Sequence, residues 1–138
     1  MFDKTHWALN QEYDPKLRTI FWIPTGAIEW QDKKRAKLEH ISPALILIHE
    51  LGHAYHHDRA ADPGKWIEQT KDKSDKVWSN AEGKRTIEEI ENVVARELGG
   101  VESMRSWHNP SVPFKHRQYI TTSPIGIEAA VNVRILNP

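Results

Sequence analysis

The sequence contains no cysteine, no long apolar run and no excess of charge of either sign. Without cysteine, disulfide bonds and cysteine-ligated metal sites are excluded. Lys plus Arg and Asp plus Glu number 19 each, so no overall field favours nucleic acid or an anionic membrane as a partner. The longest apolar run is far shorter than the roughly 20 residues that cross a bilayer, which predicts no membrane span.

The start of the chain also lacks the pattern of a secretory signal peptide, because polar and charged residues follow Met1 and Phe2 immediately. We therefore expect that any export uses a specialised secretion system or fusion to a delivered protein. The length of 138 residues fits one domain, residues 1–138, which we expect to be a monomer.

What the chain does contain is an H-E-x-x-H pattern at residues 49–53. On an α-helix, residues four apart lie about 40° apart on one face. The imidazoles of His49 and His53 can therefore bind one metal ion, with Glu50 beside the open coordination position. The pattern predicts a Zn²⁺ site in which Glu50 is the general base.

The residues around this pattern predict a buried helix. Ser42 can cap its first N–H groups, and Pro43 fits its first turn. Residues 44–48 are all apolar, which is typical of a helix buried on every side. Gly52 costs about 1 kcal/mol relative to Ala inside a helix, so we expect another backbone to approach closely there. The alternative is a core helix whose two histidines are simply hydrogen-bonded.

A second helix is predicted over residues 86–98. Thr86 can cap it, Glu89 completes a capping box three residues later, and Gly99 ends it.

Glu91 lies within the apolar stripe of this second helix. The stripe consists of four residues at helical spacing: Ile87, Ile90, Val94 and Leu98. A carboxylate on a core-facing stripe is costly unless it is paired, and a metal ion held by two imidazoles is such a partner. We therefore predict Glu91 as the third zinc ligand, with Glu97 at the edge of the stripe as the alternative. A salt bridge from Glu91 to Arg96 or Arg105 is the structural alternative.

The remaining segments carry weaker patterns. Residues 19–23 and 27–30 predict two short strands that pair as a hairpin, and either is a candidate edge strand for a peptide substrate. The charged residues 31–39 predict a solvated face. Residues 65–85 are polar and predict a long loop, which is either a lid over the site or a surface insertion.

Candidate oxyanion donors lie further along the chain. Arg105 and His108 are three residues apart and can point the same way. His116 and Tyr119 are reserve candidates, and an ordinary surface Arg and His is the alternative for the first pair.

These motifs together resemble the effector-type zinc metallopeptidases. The segments that carry the resemblance are residues 49–57, Glu91-Asn92…Arg96-Glu97-Leu98-Gly99 and Arg105-x-x-His108. Bacteria deliver such proteins into other cells by type III or type VI secretion, as free effectors or as C-terminal toxin domains of VgrG or Rhs proteins. Relatives usually have Arg-x-x-Tyr where this chain has Arg-x-x-His.

The resemblance implies a small zincin-like α+β fold. In such a fold an active-site helix lies beside a short twisted sheet, and a second helix carries the third ligand. The resemblance also implies Zn²⁺ as cofactor, a protein or peptide substrate in a target cell and an immunity protein as a partner.

Two other functions remain open at this point. One is a zinc amidohydrolase that cleaves peptides of the bacterial cell wall with the same residues. The other is a binding module with a structural zinc ion, which requires four protein ligands. In that case His56 or His57 would be the additional ligand, whereas in an enzyme both are expected to be solvated or to lie behind the ligands.

Overall fold

Helices and short antiparallel strands make up the chain in the computed structural model, which describes residues 11–32, 37–99, 104–105 and 114–125. The strands are β1 (Glu12–Asp14), β2 (Thr19–Phe21), β3 (Gly26–Asp32), β4 (Lys37–Ile41) and β5 (Phe114–Ile120). The helices are α1 (Pro43–Asp58), α2 (Pro63–Thr70), α3 (Ala81–Thr86) and α4 (Asn92–Leu98), with a π-helical segment (Ile87–Glu91) joining α3 to α4. The predicted α+β class is confirmed, whereas its zincin-like character remains a prediction.

The strands form two separate sheets. β1 pairs with β2, and β3 lies between β4 and β5 in the second sheet, all in antiparallel fashion. The predicted hairpin between β2 and β3 is therefore wrong. All seven residues of β3 pair with β5, so a longer and more distant strand offers more hydrogen bonds than the three-residue β2.

Helix α1 begins where the sequence predicts. The Ser42 hydroxyl accepts from the backbone N–H of Leu45, and Pro43 occupies the first turn. The core lies between α1 and its neighbours, and its buried residues are Ile41, Leu45, Ile46 and Ala95. No helix in the described part of the chain is both long and apolar enough to cross a membrane.

The second predicted helix begins earlier than expected. Asn80 caps α3 by accepting from the N–H of Gly83, so the predicted capping box at Thr86 is wrong. Thr86 lies inside the helical run, and its hydroxyl donates to Glu82 one turn earlier. The predicted loop over residues 65–85 is wrong at both ends, where α2 and most of α3 lie, whereas residues 71–80 between these helices contain no helix or named strand.

The π-helical segment changes which residues of this run face the core. Ile87 and Glu91 are fully buried, and Ala95 is the next buried position. Leu98 is 61% exposed, so its predicted place in the buried stripe is wrong. A turn closed by i→i+5 hydrogen bonds holds an extra residue, which shifts the buried face after it.

Gly52 marks the contact between α1 and the π-helical run. A Cβ at this position would lie 2.8 Å from Thr86 Cγ2 and 3.1 Å from Ile90 Cδ1. A close neighbour is therefore present at Gly52, but the nearest atoms belong to side chains and not to the backbone that the sequence predicts. The contact places α1 directly against the segment that carries Glu91.

Candidate metal centre

The two motif histidines present their outer ring nitrogens to each other. The Nε2 atoms of His49 and His53 lie 3.0 Å apart, and the two rings are nearly perpendicular at 89°. One helical turn separates them on α1, as the spacing predicts. His49 is buried and His53 is partly buried, so neither residue is fully exposed to solvent.

The inner nitrogen of His49 contacts a buried ion pair. His49 Nδ1 lies 2.7 Å from Glu91 Oε2, and Glu91 is fully buried. Arg105 donates from Nε to Glu91 Oε1 at 2.7 Å and from its terminal nitrogen to the other oxygen. Burial alone would raise the pKa of Glu91, but the Arg105 charge and the His49 hydrogen bond outweigh burial and lower it to about 2. Burial lowers the pKa of His49 to about 4.

Arg105 is fixed through its backbone as well as through its side chain. Its N–H donates to Asn92 Oδ1, and its carbonyl accepts from Asn92 Nδ2, both at 2.8 Å. The guanidinium lies 3.2 Å from His49 Nδ1, on the opposite side of the ring from Nε2. The structure thus contains the Glu91–Arg105 salt bridge that the sequence offered as an alternative, and an oxyanion role for Arg105 remains a prediction.

The inner nitrogen of His53 contacts a second carboxylate, Glu82. Glu82 Oε1 lies 3.2 Å from His53 Nδ1 and 2.7 Å from His56 Nδ1, and it accepts from the Thr86 hydroxyl at 3.0 Å. Its other oxygen accepts from Arg85. Burial would raise the pKa of Glu82, but the hydrogen bonds from His53 and His56 outweigh it and lower the pKa to about 2.

The carboxylates beside both Nδ1 atoms favour one tautomer of each imidazole. A neutral imidazole carries one N–H and one acceptor nitrogen, and an ionised carboxylate beside Nδ1 selects the Nδ1–H form. In this form the Nε2 atoms of His49 and His53 carry the lone pairs. With both rings in this form, the two Nε2 atoms that face each other at 3.0 Å are the nitrogens available to bind a metal ion.

Glu50 follows His49 directly on the same helix. The residue is 8% exposed, and its Oε2 accepts from the backbone N–H of Tyr13 in β1 at 2.6 Å. Burial raises the pKa of Glu50 to about 7, with smaller opposing effects from His53 and from the Tyr13 N–H. The Tyr13 hydroxyl also contacts His57 Nδ1 at 2.9 Å, so the β1–β2 hairpin is attached to α1 at two points.

Within the described residues, no group of three or more His, Cys, Asp or Glu side chains is arranged to hold a metal ion. Glu91 contacts the inner nitrogen of His49, and Glu97 is exposed on α4. A direct ligand role for either residue therefore remains a prediction. His56 directs Nδ1 to Glu82 and His57 directs Nδ1 to Tyr13.

The structure describes only some of the residues predicted as oxyanion donors. His108 and the side chain of His116 fall outside the described residues. Tyr119 is buried, and its hydroxyl lies 3.2 Å from His40 Nδ1.

Two residues at the site were not identified from the sequence. Glu82 lies in a stretch interpreted as a loop, although Asn80 followed by Gly83 is a usable helix-cap signal. Tyr13 acts through its backbone N–H, which every residue except proline carries, so no sequence pattern marks it.

Comparison with protein-family models, curated proteins and solved structures yields no match to this chain.

Proposed function

We propose that this protein is a zinc-dependent metallopeptidase whose metal is bound through Nε2 of His49 and Nε2 of His53. The observation that carries the proposal is the 3.0 Å approach of these two atoms while each Nδ1 contacts a carboxylate. Two Zn–N bonds of ~2.0–2.1 Å reach a common point from nitrogens at this separation. The two imidazole nitrogens suit zinc and supply two of its ligands, and a third protein ligand remains the prediction made from the sequence.

Bound zinc supplies Lewis-acid chemistry, since it acidifies a water molecule and polarises a carbonyl group. The protein supplies the proton acceptor. Glu50 is the residue after the first ligand, and a base in this position can take a proton from water and return it to the leaving amine. The Tyr13 N–H holds one oxygen of Glu50, which leaves the second oxygen for this proton.

The β1–β2 hairpin supports a peptide as the substrate. It is a short sheet that contacts α1, and its strand β1 lies against Glu50. An extended peptide can add to a sheet edge by main-chain hydrogen bonds, which places a scissile bond near the base. β3 is the central strand of its sheet, so it is not the edge strand; β2 is the remaining candidate from the sequence.

The test combines metal analysis with a proteolysis assay on the purified protein. Wild type is expected to bind one zinc ion per chain and to cleave an unfolded protein substrate. Glu50→Gln should keep the zinc and lower kcat/KM by about 10²–10⁴-fold, because only the proton acceptor is removed. His53→Ala should lose both zinc and activity.

Glu68→Gln is the matched control, because Glu68 is an exposed carboxylate on α2 paired with Lys71. It should keep both zinc and activity. Full activity in Glu50→Gln would eliminate the base assignment, and zinc-free wild type after purification in zinc would eliminate the metal site. Cleavage of isolated cell-wall sacculi without cleavage of unfolded protein would identify the amidohydrolase instead.

Delivery into a target cell and neutralisation by an immunity protein are proposed with this activity on the sequence resemblance alone. Expression of wild type in a bacterial cytoplasm should arrest growth, whereas expression of Glu50→Gln should not. Normal growth with active wild-type enzyme would contradict the toxin role without affecting the peptidase assignment.

A further inference from the structure

Glu82 is a buried carboxylate outside the H-E-x-x-H motif that faces the motif helix. It lies in the first turn of α3 and is 7% exposed. Its Oε1 atom accepts hydrogen bonds from three groups, and the ring of His53 is one of them. Glu82 contacts His53 at Nδ1, so it can affect the ring only from the side opposite Nε2.

The position of Glu82 is itself fixed by its neighbours. The Thr86 hydroxyl, one turn later, donates to the same oxygen, and Arg85 donates to the other oxygen. Asn80 caps the helix that carries Glu82. A carboxylate held at two oxygens has little freedom to rotate away from the imidazole, so it can determine the ring orientation.

We propose that Glu82 is a positioning residue for the metal centre, which holds His53 in the Nδ1–H form and directs its Nε2 toward Nε2 of His49. The proposal depends on the proposed function for its metal, but the tautomer of His53 is a property of the metal-free protein. Partners of this kind orient a ligating imidazole and raise its basicity, and their loss typically weakens metal binding ~10–100-fold.

A second imidazole, that of His56, contacts the same carboxylate. Its Nδ1 approaches the same Glu82 oxygen at 2.7 Å, closer than the 3.2 Å of His53. Glu82 therefore connects the ligand histidine to a second imidazole one turn away, and the position of His56 limits how far Glu82 can move. His56 acts through Glu82 and does not contact the Nε2 atoms that face the metal.

The experiment reads histidine tautomers by long-range ¹H–¹⁵N NMR on metal-free protein with labelled histidine, together with zinc titration. In wild type, His53 should show the Nδ1–H form. Glu82→Leu removes the acceptor, so His53 should shift toward the Nε2–H form and zinc affinity should fall ~10–100-fold. Glu82→Gln keeps the volume and one acceptor and should give a smaller loss.

Glu68→Gln is the control for removal of an acidic charge, and it should leave both readouts at their wild-type values because Glu68 is exposed on α2. If Glu82→Leu fails to fold, Glu82→Gln decides the question with the same two readouts. An Nε2–H tautomer for His53 in wild type, or unchanged zinc affinity in a folded Glu82 variant, would overturn the proposal.

The two proposals fail in distinguishable ways. A protein that binds no zinc but changes the His53 tautomer with Glu82 would refute the metallopeptidase and retain the positioning role. A protein that binds zinc equally well with and without Glu82 would refute the positioning role and leave the metal site of the metallopeptidase proposal intact. Loss of thermal stability alone, with tautomer and affinity unchanged, would reduce Glu82 to a structural residue.

Discussion

The two imidazoles of the candidate metal centre are held by the same kind of partner in different surroundings. On one side His49 contacts Glu91, which is fully buried and receives two hydrogen bonds from Arg105. The Arg105 side chain is only 8% exposed. Both charges of this ion pair are therefore almost completely removed from water.

On the other side His53 contacts Glu82, whose arginine partner lies at the surface. The Arg85 side chain is 44% exposed, and Glu82 also accepts from His56 and Thr86. The charge of Glu82 is thus distributed over four donors, and solvent screens part of its interaction with Arg85.

The difference shows that burial, more than the presence of an ion pair, determines what each contact contributes. A buried charge without its partner costs several kcal/mol, whereas an exposed arginine can be replaced by water. We therefore expect the His49 side to be critical for folding. The His53 side should tolerate loss of its arginine and respond mainly in metal affinity.

The largest effect is expected from Arg105→Met. The substitution leaves the Glu91 carboxylate buried without its charged partner, which should lower the free energy of unfolding by about 3–5 kcal/mol. The contacts of Arg105 with Asn92 use backbone atoms, so the substitution keeps them and removes only the side-chain contacts. Urea denaturation followed by tryptophan fluorescence measures the loss.

The double variant Arg105→Met with Glu91→Gln is the control for this prediction. It removes the unpaired charge, so it should recover a substantial part of the stability that Arg105→Met loses. If the double variant is as unstable as the single one, packing of the arginine side chain and not the buried charge explains the loss.

A smaller effect is expected at Gly52, where α1 meets the helical run that carries both carboxylates. A Cβ would lie 2.8 Å from Thr86 Cγ2, and Thr86 is fully buried, so either this side chain or one of the two helices must shift. A contact of 2.8 Å places the overpacking cost in the upper half of the usual range, at about 2–3 kcal/mol. The gain in helix propensity is about 1 kcal/mol, so Gly52→Ala should destabilise by about 1–2 kcal/mol. The urea midpoint should fall at constant slope.

Gly64→Ala is the control for a glycine without a close neighbour. The nearest heavy atom to its added Cβ would be Asp62 Oδ1 at 3.5 Å, an ordinary contact. Gly64→Ala should therefore be neutral or slightly stabilising. Equal stability of Gly52→Ala and wild type would show that α1 and the π-helical run separate easily, which would weaken the role of this contact in holding Thr86 against Glu82.

The parts of the site that the sequence predicts are those determined by local chemistry. The spacing of His49 and His53 fixes their common face, and Ser42 with Pro43 fixes the helix start. Glu91 is predictable as a buried carboxylate because it interrupts an apolar stripe, and its partners in this structure are Arg105 and His49.

The parts that the sequence does not predict depend on distant contacts. Strand β3 pairs with β5, and the two lie more than eighty residues apart, so no local pattern could exclude the expected β2–β3 hairpin. The π-helical turn at Ile87–Glu91 shifts the buried face and leaves Leu98 exposed. Such a turn replaces one regular hydrogen-bond pattern by another without a composition signal.

Glu82 was missed for a different reason. It lies among polar residues whose two helices are short, and short helices have too few apolar positions to show a period. The caps were nevertheless present, since Asp62 and Asn80 each accept from an N–H three residues later. In polar segments, cap residues are therefore a better guide to helices than hydrophobic periodicity.

The smallest effect is expected from Arg85→Met, which tests the comparison most directly. Glu82 keeps the hydrogen bonds from His53, His56 and Thr86 in this variant, and the lost ion pair is partly exposed. The loss in unfolding free energy should be about 0–1 kcal/mol, far below that of Arg105→Met.

The salt dependence of stability is an independent test of the difference between the Arg85–Glu82 and Arg105–Glu91 ion pairs. At 1 M NaCl the Debye length is about 3 Å, so the contribution of the exposed Arg85–Glu82 pair should disappear and wild type and Arg85→Met should become equally stable. The gap between wild type and Arg105→Met should persist, because solvent ions do not reach a buried pair. If both gaps close in salt, or if Arg85→Met costs as much as Arg105→Met, the two sides are energetically equivalent and burial does not separate them.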